Sequence, residues 1–567
     1  MPGDSVNRLV ARLEQWRDRF GSGEVRRLEK LLDSCARHQF TDLSSLIRFH
    51  ETLLFLRAFP QSPGVVARAE KLLNSFHRRI EALQSRDVDL APLDTFELSG
   101  IAGTTMEDTL SFDVLRWLVR HIPRNVEILW DQYEEERAMA ATWPRFFPLL
   151  EEDAYVEANI PWRRWLSTAS GGSRPLPWLI RQFERSPYSP REKTELYDSL
   201  RLPVSWKLEN LKISRTRNWA HPPAIHYHRT PLTVRGEVDL QTELARPSPV
   251  LKRLSLVQGR VVMDRIREVM LVRYRELYGT TLGDPRSVVR ANVGRGVVIH
   301  LWSLPPDRRL PLRAYLAGFT LKNGVPINYI EAIGLCEWIE VGFNTFYTFR
   351  KGETAWIYAQ ALRCLCAHTR AKCISVYPYQ LGQNNDEALE SGAFWFYRKL
   401  GFRSGLPELR SLTEREEQRI RKNRCYKSPL RVLKQLAQGH MFYELPGSDR
   451  GAWDRFSVRN LGLRVNRKMA EQFGGDGTRF RKVCAMTVSR ALGWRSANTS
   501  SEEERAFEDW ALVLSQIPGL AGWTRQDKSD LVKMIRAKAG TSERYYLRLT
   551  QHHARLRREL LRLGSSL

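Results

Sequence analysis

No run of about 18 apolar residues occurs in this 567-residue chain, so no segment qualifies as a membrane-spanning helix. Cysteine is scarce as well: seven residues, an odd number and scattered. Cys364, Cys366 and Cys373 lie close together, but there is no C-x-x-C pair to mark a disulfide framework or a zinc site, and reduced thiols are expected. Internal repeats and low-complexity tracts are missing. So are an RNP motif, a zinc finger and a recognition-helix signature. The opening Met1-Pro2-Gly3-Asp4-Ser5 leads into a charged helix rather than a basic and then apolar signal, and the expectation is a soluble, non-exported, cytoplasmic chain. Acidic residues are in deficit: 64 Asp and Glu against 89 Lys and Arg leave a formal net charge of +25.

What is present is enough apolar residue, 42%, for globular domains in a chain longer than one core usually supports. Residues 1–95 form an N-terminal helical region, with Leu31, Leu32, Leu53 and Leu54 in apolar stripes from Val6 to Gln84. Residues 96–235 form a Trp/Pro-rich, largely helical region. There Trp117, Trp130, Trp143, Trp162 and Trp165 are expected in the core, and Pro123, Pro148, Pro161, Pro175 and Pro177 break the helices. Gly447 to Gly477 reads as turn-rich. It opens a basic C-terminal region, 446–567, that returns to helices from Arg479 to Leu563.

Between these regions the composition changes. Val261 to Tyr278 carries Ile266, Met270, Tyr274 and Leu277 at helical spacing. Asn323-Gly324 is a hairpin-turn signal between Leu316–Leu321 and Val325–Ile333, so a meander of antiparallel strands is expected. Phe349-Arg350-Lys351-Gly352-Glu353-Thr354-Ala355 opens a helix with Tyr358, Leu362 and Leu365 on one side. Cys373 to Tyr377 reads as a short strand stopped by Pro378. Then Glu390 to Phe402 gives an apolar helix ending Y-x-x-L-G-F at Tyr397, Leu400, Gly401 and Phe402, with a Gly able to take positive φ at its end.

This order, and the last segment above all, resembles the GNAT acyl-CoA N-acyltransferase superfamily, whose pattern there is N-x-A-x-x-x-Y-x-x-x-G-F. Ala393, Tyr397, Gly401 and Phe402 match, and Ser391 stands where the family often has Asn. The resemblance covers residues 250–445. It implies an α+β fold with a mixed, mostly antiparallel sheet, helices on both faces, and N- and C-terminal helical domains as flanks. It also implies transfer of an acyl group, most simply acetyl, from acetyl-CoA or another acyl-CoA to an amine acceptor not identified here. By family position Tyr397 is the acid beside the departing thiol, and Arg350, Lys351, Gly352, Thr354 and Ala355 hold the cofactor phosphates.

The family loop reads R/Q-x-x-G-x-G/A, and this chain departs from it. Aligned on Arg350 and Ala355, Glu353 takes the place of the middle Gly; aligned on Gly352, Phe349 takes the R/Q position. A carboxylate in the first helical turn would repel a bound pyrophosphate by on the order of a kcal/mol, with Arg350 and Lys351 to compensate. For the base, Glu331 shares a strand face with Tyr329 and Ile333 by alternation. Arg313 is available to pair with it, and Glu337 and Glu340 are competitors.

Two features fall outside this picture. His221, His226 and His228 lie close in sequence, and the last two point the same way in an extended segment, but no acidic or Cys ligand is obvious nearby, so no metal site is assigned. Basic residues are dense at Arg415, Arg419, Arg421, Lys422, Arg424, Lys427, Arg431 and Lys434, and at Arg544, Arg548, Arg555, Arg557, Arg558 and Arg562. Such charge brings nucleic acid into consideration as a partner without favouring it. The reading from a different class is a non-catalytic GNAT-like fold inside a basic RNA-associated or scaffolding protein.

Overall fold

The computed structural model describes residues 2–146, 161–209, 211–423, 425–495 and 499–565; Pro148 and Arg424 lie outside them. It divides into two compact units, Met1–Pro231 with Met263–Thr281, and Leu232–Val262 with Leu282–Leu567. Among the described residues no helix is long and apolar enough to cross a membrane.

In the first unit the stretch expected to be helical is five helices, Pro2–Trp16, Ser22–Arg37, Leu43–Ala58, Pro63–Asn74 and His77–Gln84. Their starts are set locally: Asp42 accepts from the Ser45 N–H at 2.8 Å, and Ser62, ahead of Pro63, accepts from Val65 N–H at 3.1 Å, each satisfying an orphan donor of a first turn. Among the described residues, the Trp/Pro-rich stretch has its α-helices between Phe112 and Asp198 and none over 208–234. It also carries a small antiparallel sheet, β1 (Thr105–Thr109), β2 (Val126–Ile128) and β3 (Pro203–Lys207), in the order β1-β3-β2. These strands are short, and β1 buries only Met106, so no run of alternating apolar residues announces them. Trp117, Trp143 and Trp162 lie in the core, with Trp130 and Trp165 packed on its margin. His226 and His228 stack edge to face, 4.8 Å between centroids, and His228 also lies 5.8 Å from the Phe59 ring.

The second unit is built on a nine-stranded sheet: β4 (Lys252–Arg253), β5 (Val289–Gly294), β6 (Val297–Ser303), β7 (Ala314–Lys322), β8 (Val325–Leu335), β9 (Trp338–Thr345), β10 (Cys373–Val376), β11 (Arg403–Ser404) and β12 (Met441–Glu444). The strand order is β11-β12-β10-β9-β8-β7-β6-β5-β4. Every pairing is antiparallel except β9 with β10. The fold is therefore α+β with a mixed, mostly antiparallel sheet. Asn323 and Gly324 turn β7 into β8 with φ of 49° and 81°, the left-handed pair that a two-residue hairpin demands. β10 ends before Tyr377-Pro378, as Pro requires.

The parallel pair needs a crossover, supplied by helix α1 (Thr354–Thr369). Helix α2 (Ala393–Lys399) follows β10, and Gly401 exits it at φ 99°, where a Cβ would come within 3.2 Å of the Tyr443 ring.

The segment expected to be turn-rich is mostly helix: α3 (Val458–Phe473) runs through it and is joined by a short glycine turn to α4 (Gly477–Leu492). Ser457 caps the first of these and Gly474, at φ 59°, ends it. Gly447 and Gly451 lie in true turns ahead of the helix, at φ 77° and 82°, whereas Gly474 and Gly475 belong to its C-terminal end and Gly462 lies within it. The C-terminal helices share one core with the sheet: Trp338 and Phe442 pack with Trp453, Trp510, Leu531 and Leu547. Leu547 belongs to helix α5 (Glu543–His552), which crosses β8 at Gly334, a position where a Cβ would meet Leu547 at 3.1 Å.

Candidate active site

β9 and β10 pair over only three residues, Trp338–Glu340 against Cys373–Ser375. Beyond Glu340, β9 runs on to Thr345, and among the described residues its strand pairing there is with β8, which leaves the edge facing β10 without a strand partner. The chain then passes through a 3-10 turn at Tyr347–Phe349 into α1. Ile357 N–H makes the first bond of the ladder, to Glu353 O at 2.9 Å. Among the described residues the N–H groups of Thr354, Ala355 and Trp356 find no acceptor. A 16-residue helix thus presents its positive end and free donors after the chain leaves β9.

Glu353, the N-cap residue, does not stand over that end. Its side chain is buried, with Arg295 Nη1 at 2.8 Å, Lys322 Nζ at 3.5 Å and Thr233 N–H at 3.4 Å. The expected repulsion of a phosphate is thereby offset within the protein by two cations. Burial pulls the Lys322 ammonium down to about 8, against the opposing pull of Glu353. Arg350 is ion-paired with Glu387 and lies 5.5 Å from the Tyr347 ring, while Lys351 is exposed. Gly352 N–H donates to Phe349 O at 2.9 Å, Thr354 Oγ1 donates to Arg350 O at 3.1 Å, and Ala355 is buried.

Tyr397 and Glu331 sit on opposite faces of the sheet. Phe343 of β9 packs on Tyr358 of α1, 4.8 Å between centroids, and Tyr358 packs on Tyr397 at 5.7 Å. This helix-covered face also takes Phe402, 5.7 Å from Tyr397. Burial pushes the Tyr397 phenol well above its usual range, which favours its protonated form. The Tyr358 hydroxyl beside it is buried, with no hydrogen-bond partner among the described residues.

On the other face, register places Glu331 across from Gly342 and Ala317, one step from Glu340, which lies across from Ser375. Glu331 accepts from the Tyr315 hydroxyl. Arg313, expected as its partner, instead reaches Glu340 at 3.3 Å, because the two lie nearer the other end of the meander. Glu340 also meets His440 Nε2 at 2.9 Å. Burial raises its pKa, but His440 and Arg313 together outweigh this and hold the carboxyl below its usual range. Tyr377, at the mouth where β10 ends, is pushed up first by its own burial and then by Glu340, Tyr379 and Glu331. Glu337 is committed elsewhere, to Arg557 at 2.6 Å and Trp453 Nε1 at 2.8 Å. His440 carries no motif; only its place just before a strand rich in apolar residues could have drawn attention to it.

No group of three or more His, Cys, Asp or Glu side chains suited to a metal occurs among the described residues. Comparison of the chain with protein-family models, curated proteins and solved structures finds no match.

Proposed function

We propose that the second unit transfers an acyl group, acetyl in the simplest case, from acyl-CoA to an amine. The observation that carries this reading is the three-residue pairing of the parallel strands β9 and β10, beyond which β9 runs on without β10 and the chain leads into the N-terminus of α1. Unpaired strand backbone suits the amides of an extended pantetheine arm, and free N–H groups at a helix start suit a pyrophosphate. The GNAT-like punctuation from Ala393 to Phe402 supports the same reading, as does the order of the strands around the parallel pair.

Within that reading, the amine reaches the thioester from the sheet face of Glu331 and Glu340. Glu331 accepts the ammonium proton, the N–C bond forms as the C–S bond breaks, and Tyr397 supplies a proton to the leaving thiolate. The second proton, shed by the new amide nitrogen, returns through solvent to the Tyr397 phenolate. Lys351, Gly352, Thr354, Ala355 and the backbone around them hold the phosphates. Arg350 joins them only if it leaves Glu387.

The test is thermal denaturation with acetyl-CoA, longer acyl-CoAs and free CoA. Binding at a hundredfold excess over Kd should stabilise by about 2.7 kcal/mol. Gly352→Val, which sets a branched Cβ beside the phosphate path, should abolish the shift while leaving the fold intact. No shift with any CoA compound would leave the non-catalytic reading in its place.

A further inference from the structure

Several of the basic residues that stand out in the sequence are ion-paired within the chain. Arg419 pairs with Glu416 at 2.8 Å, Arg555 with Asp527 at 3.3 Å, Arg557 with Glu337 at 2.6 Å and Arg562 with Glu559 at 2.8 Å. The helical pair α3–α4 concentrates exposed cations with few acidic residues beside them. Residues 458–492 hold eight Lys and Arg against two acidic residues, Glu471 and Asp476, and Asp476 is occupied as the cap of α4. Arg459, Arg467, Arg479, Lys482 and Arg490 are all exposed, and among the described residues none forms an ion pair.

We propose that α3 and α4 bind a nucleic-acid strand through its phosphodiester backbone. Four of the five cations are Arg, whose planar fork matches a phosphate with two parallel hydrogen bonds. They recur at 459 and 467 along one helix and at 479, 482 and 490 along the next, the kind of series that a run of phosphates neutralises. A lipid surface fits less well: a helix lying on a membrane needs a continuous apolar face, and here Leu461, Phe480, Cys484, Val488 and Leu492 are turned inward, leaving Leu463 and Met486 as the large apolar side chains exposed on the pair. Arg459 is also close enough to Tyr377 to draw its pKa down, so the basic surface begins near the mouth of the candidate site. The proposal does not depend on acyl transfer.

The experiment is fluorescence anisotropy of the full chain with a labelled oligo(U) RNA and a DNA duplex, each about 20 units long, from about 50 to 200 mM salt. Affinity should fall steeply, with a log–log slope of about −3.5 for the single strand and about −4.5 for the duplex if five phosphates are contacted. The variant R459Q/R467Q/R479Q/K482Q/R490Q should weaken binding at least about tenfold at low salt and flatten the slope. Replacing the four Arg by Lys should retain most of the affinity. Should the fivefold variant melt early, R467Q/R479Q carries the same test with a smaller loss. No binding at low salt, equal binding by the Gln variants, or attachment to phosphatidylserine vesicles in place of nucleic acid would overturn the proposal; the RNA and DNA arms say which strand is bound.

Discussion

Glu353 and Lys322 form a buried ion pair, Oε2 to Nζ 3.5 Å, that ties the N-cap of α1 to the end of β7. Arg295 completes it, donating to the other carboxylate oxygen at 2.8 Å. The residue that breaks the glycine pattern of the loop is thus a structural anchor pointing into the fold. The charge that would oppose a phosphate at the helix start is compensated from beneath.

Replacing Glu353 by Gly should therefore do harm even though it restores the family pattern. Lys322 is fully buried, and stranding its ammonium costs roughly 3–5 kcal/mol, to be read from urea denaturation. Acyl-CoA affinity should not improve. Tighter binding with unchanged stability would mean that the carboxylate does face the phosphates.

Lys322 also sets a pH dependence. Its pKa falls from 10.5 unfolded to about 8 folded, so between those values the unfolded chain binds more protons and stability from this group rises with pH. Urea midpoints of the native protein measured upward from pH 8 should show that rise, and Lys322→Met should lack it. Identical profiles would show that the folded pKa is not depressed.

Local features were legible in the sequence and distant ones were not. Asn323-Gly324 declares its turn because both residues tolerate positive φ, and Pro378 declares the end of β10 because it cannot donate to a ladder. The Glu353 anchor is invisible along the chain, since its partners Lys322 and Arg295 lie 31 and 58 residues away. His440 stands 100 residues from Glu340, so neither signals the other. Strand alternation placed Glu331 correctly with Tyr329 and Ile333 on one face, but could not say that Arg313 would reach the next carboxylate instead. Helix α3 was hidden by flanking glycines that read as turns, when one of them is its C-terminal stop.

The two carboxylates of the open sheet face can be separated by mutation. Glu340→Gln leaves Arg313 and His440 without their charged partner and should cost about 1–3 kcal/mol. Because the Glu340 pKa is depressed in the fold, the stability it contributes is present above the unfolded value of 4.5 and lost as pH falls through the folded one, so the variant should be less sensitive to acid. Glu331→Gln should instead lower kcat/KM and remove the ascending limb of its pH profile. If Glu340→Gln or His440→Asn removes that limb and Glu331→Gln does not, the base is the Glu340–His440 pair.

Tyr397 bears the sharpest test. Its phenol is buried among Tyr358, Phe396 and Phe402, so the ring contributes packing whatever the hydroxyl does. Tyr397→Phe keeps the ring and removes the oxygen alone. As the proton donor to the thiolate, that oxygen is worth about 10²–10⁴ in rate, and kcat should fall accordingly while acyl-CoA affinity and melting temperature stay nearly unchanged. If the hydroxyl is only structural, the loss appears as at most about 1–3 kcal/mol of stability with little kinetic effect. Coenzyme A thiolate is a good leaving group. A small rate loss with the fold intact would therefore remove Tyr397 from the chemistry while leaving transfer to the amine in place, and a second variant, Tyr358→Phe, should have no effect on kcat because its orphaned hydroxyl has no assigned part in the transfer.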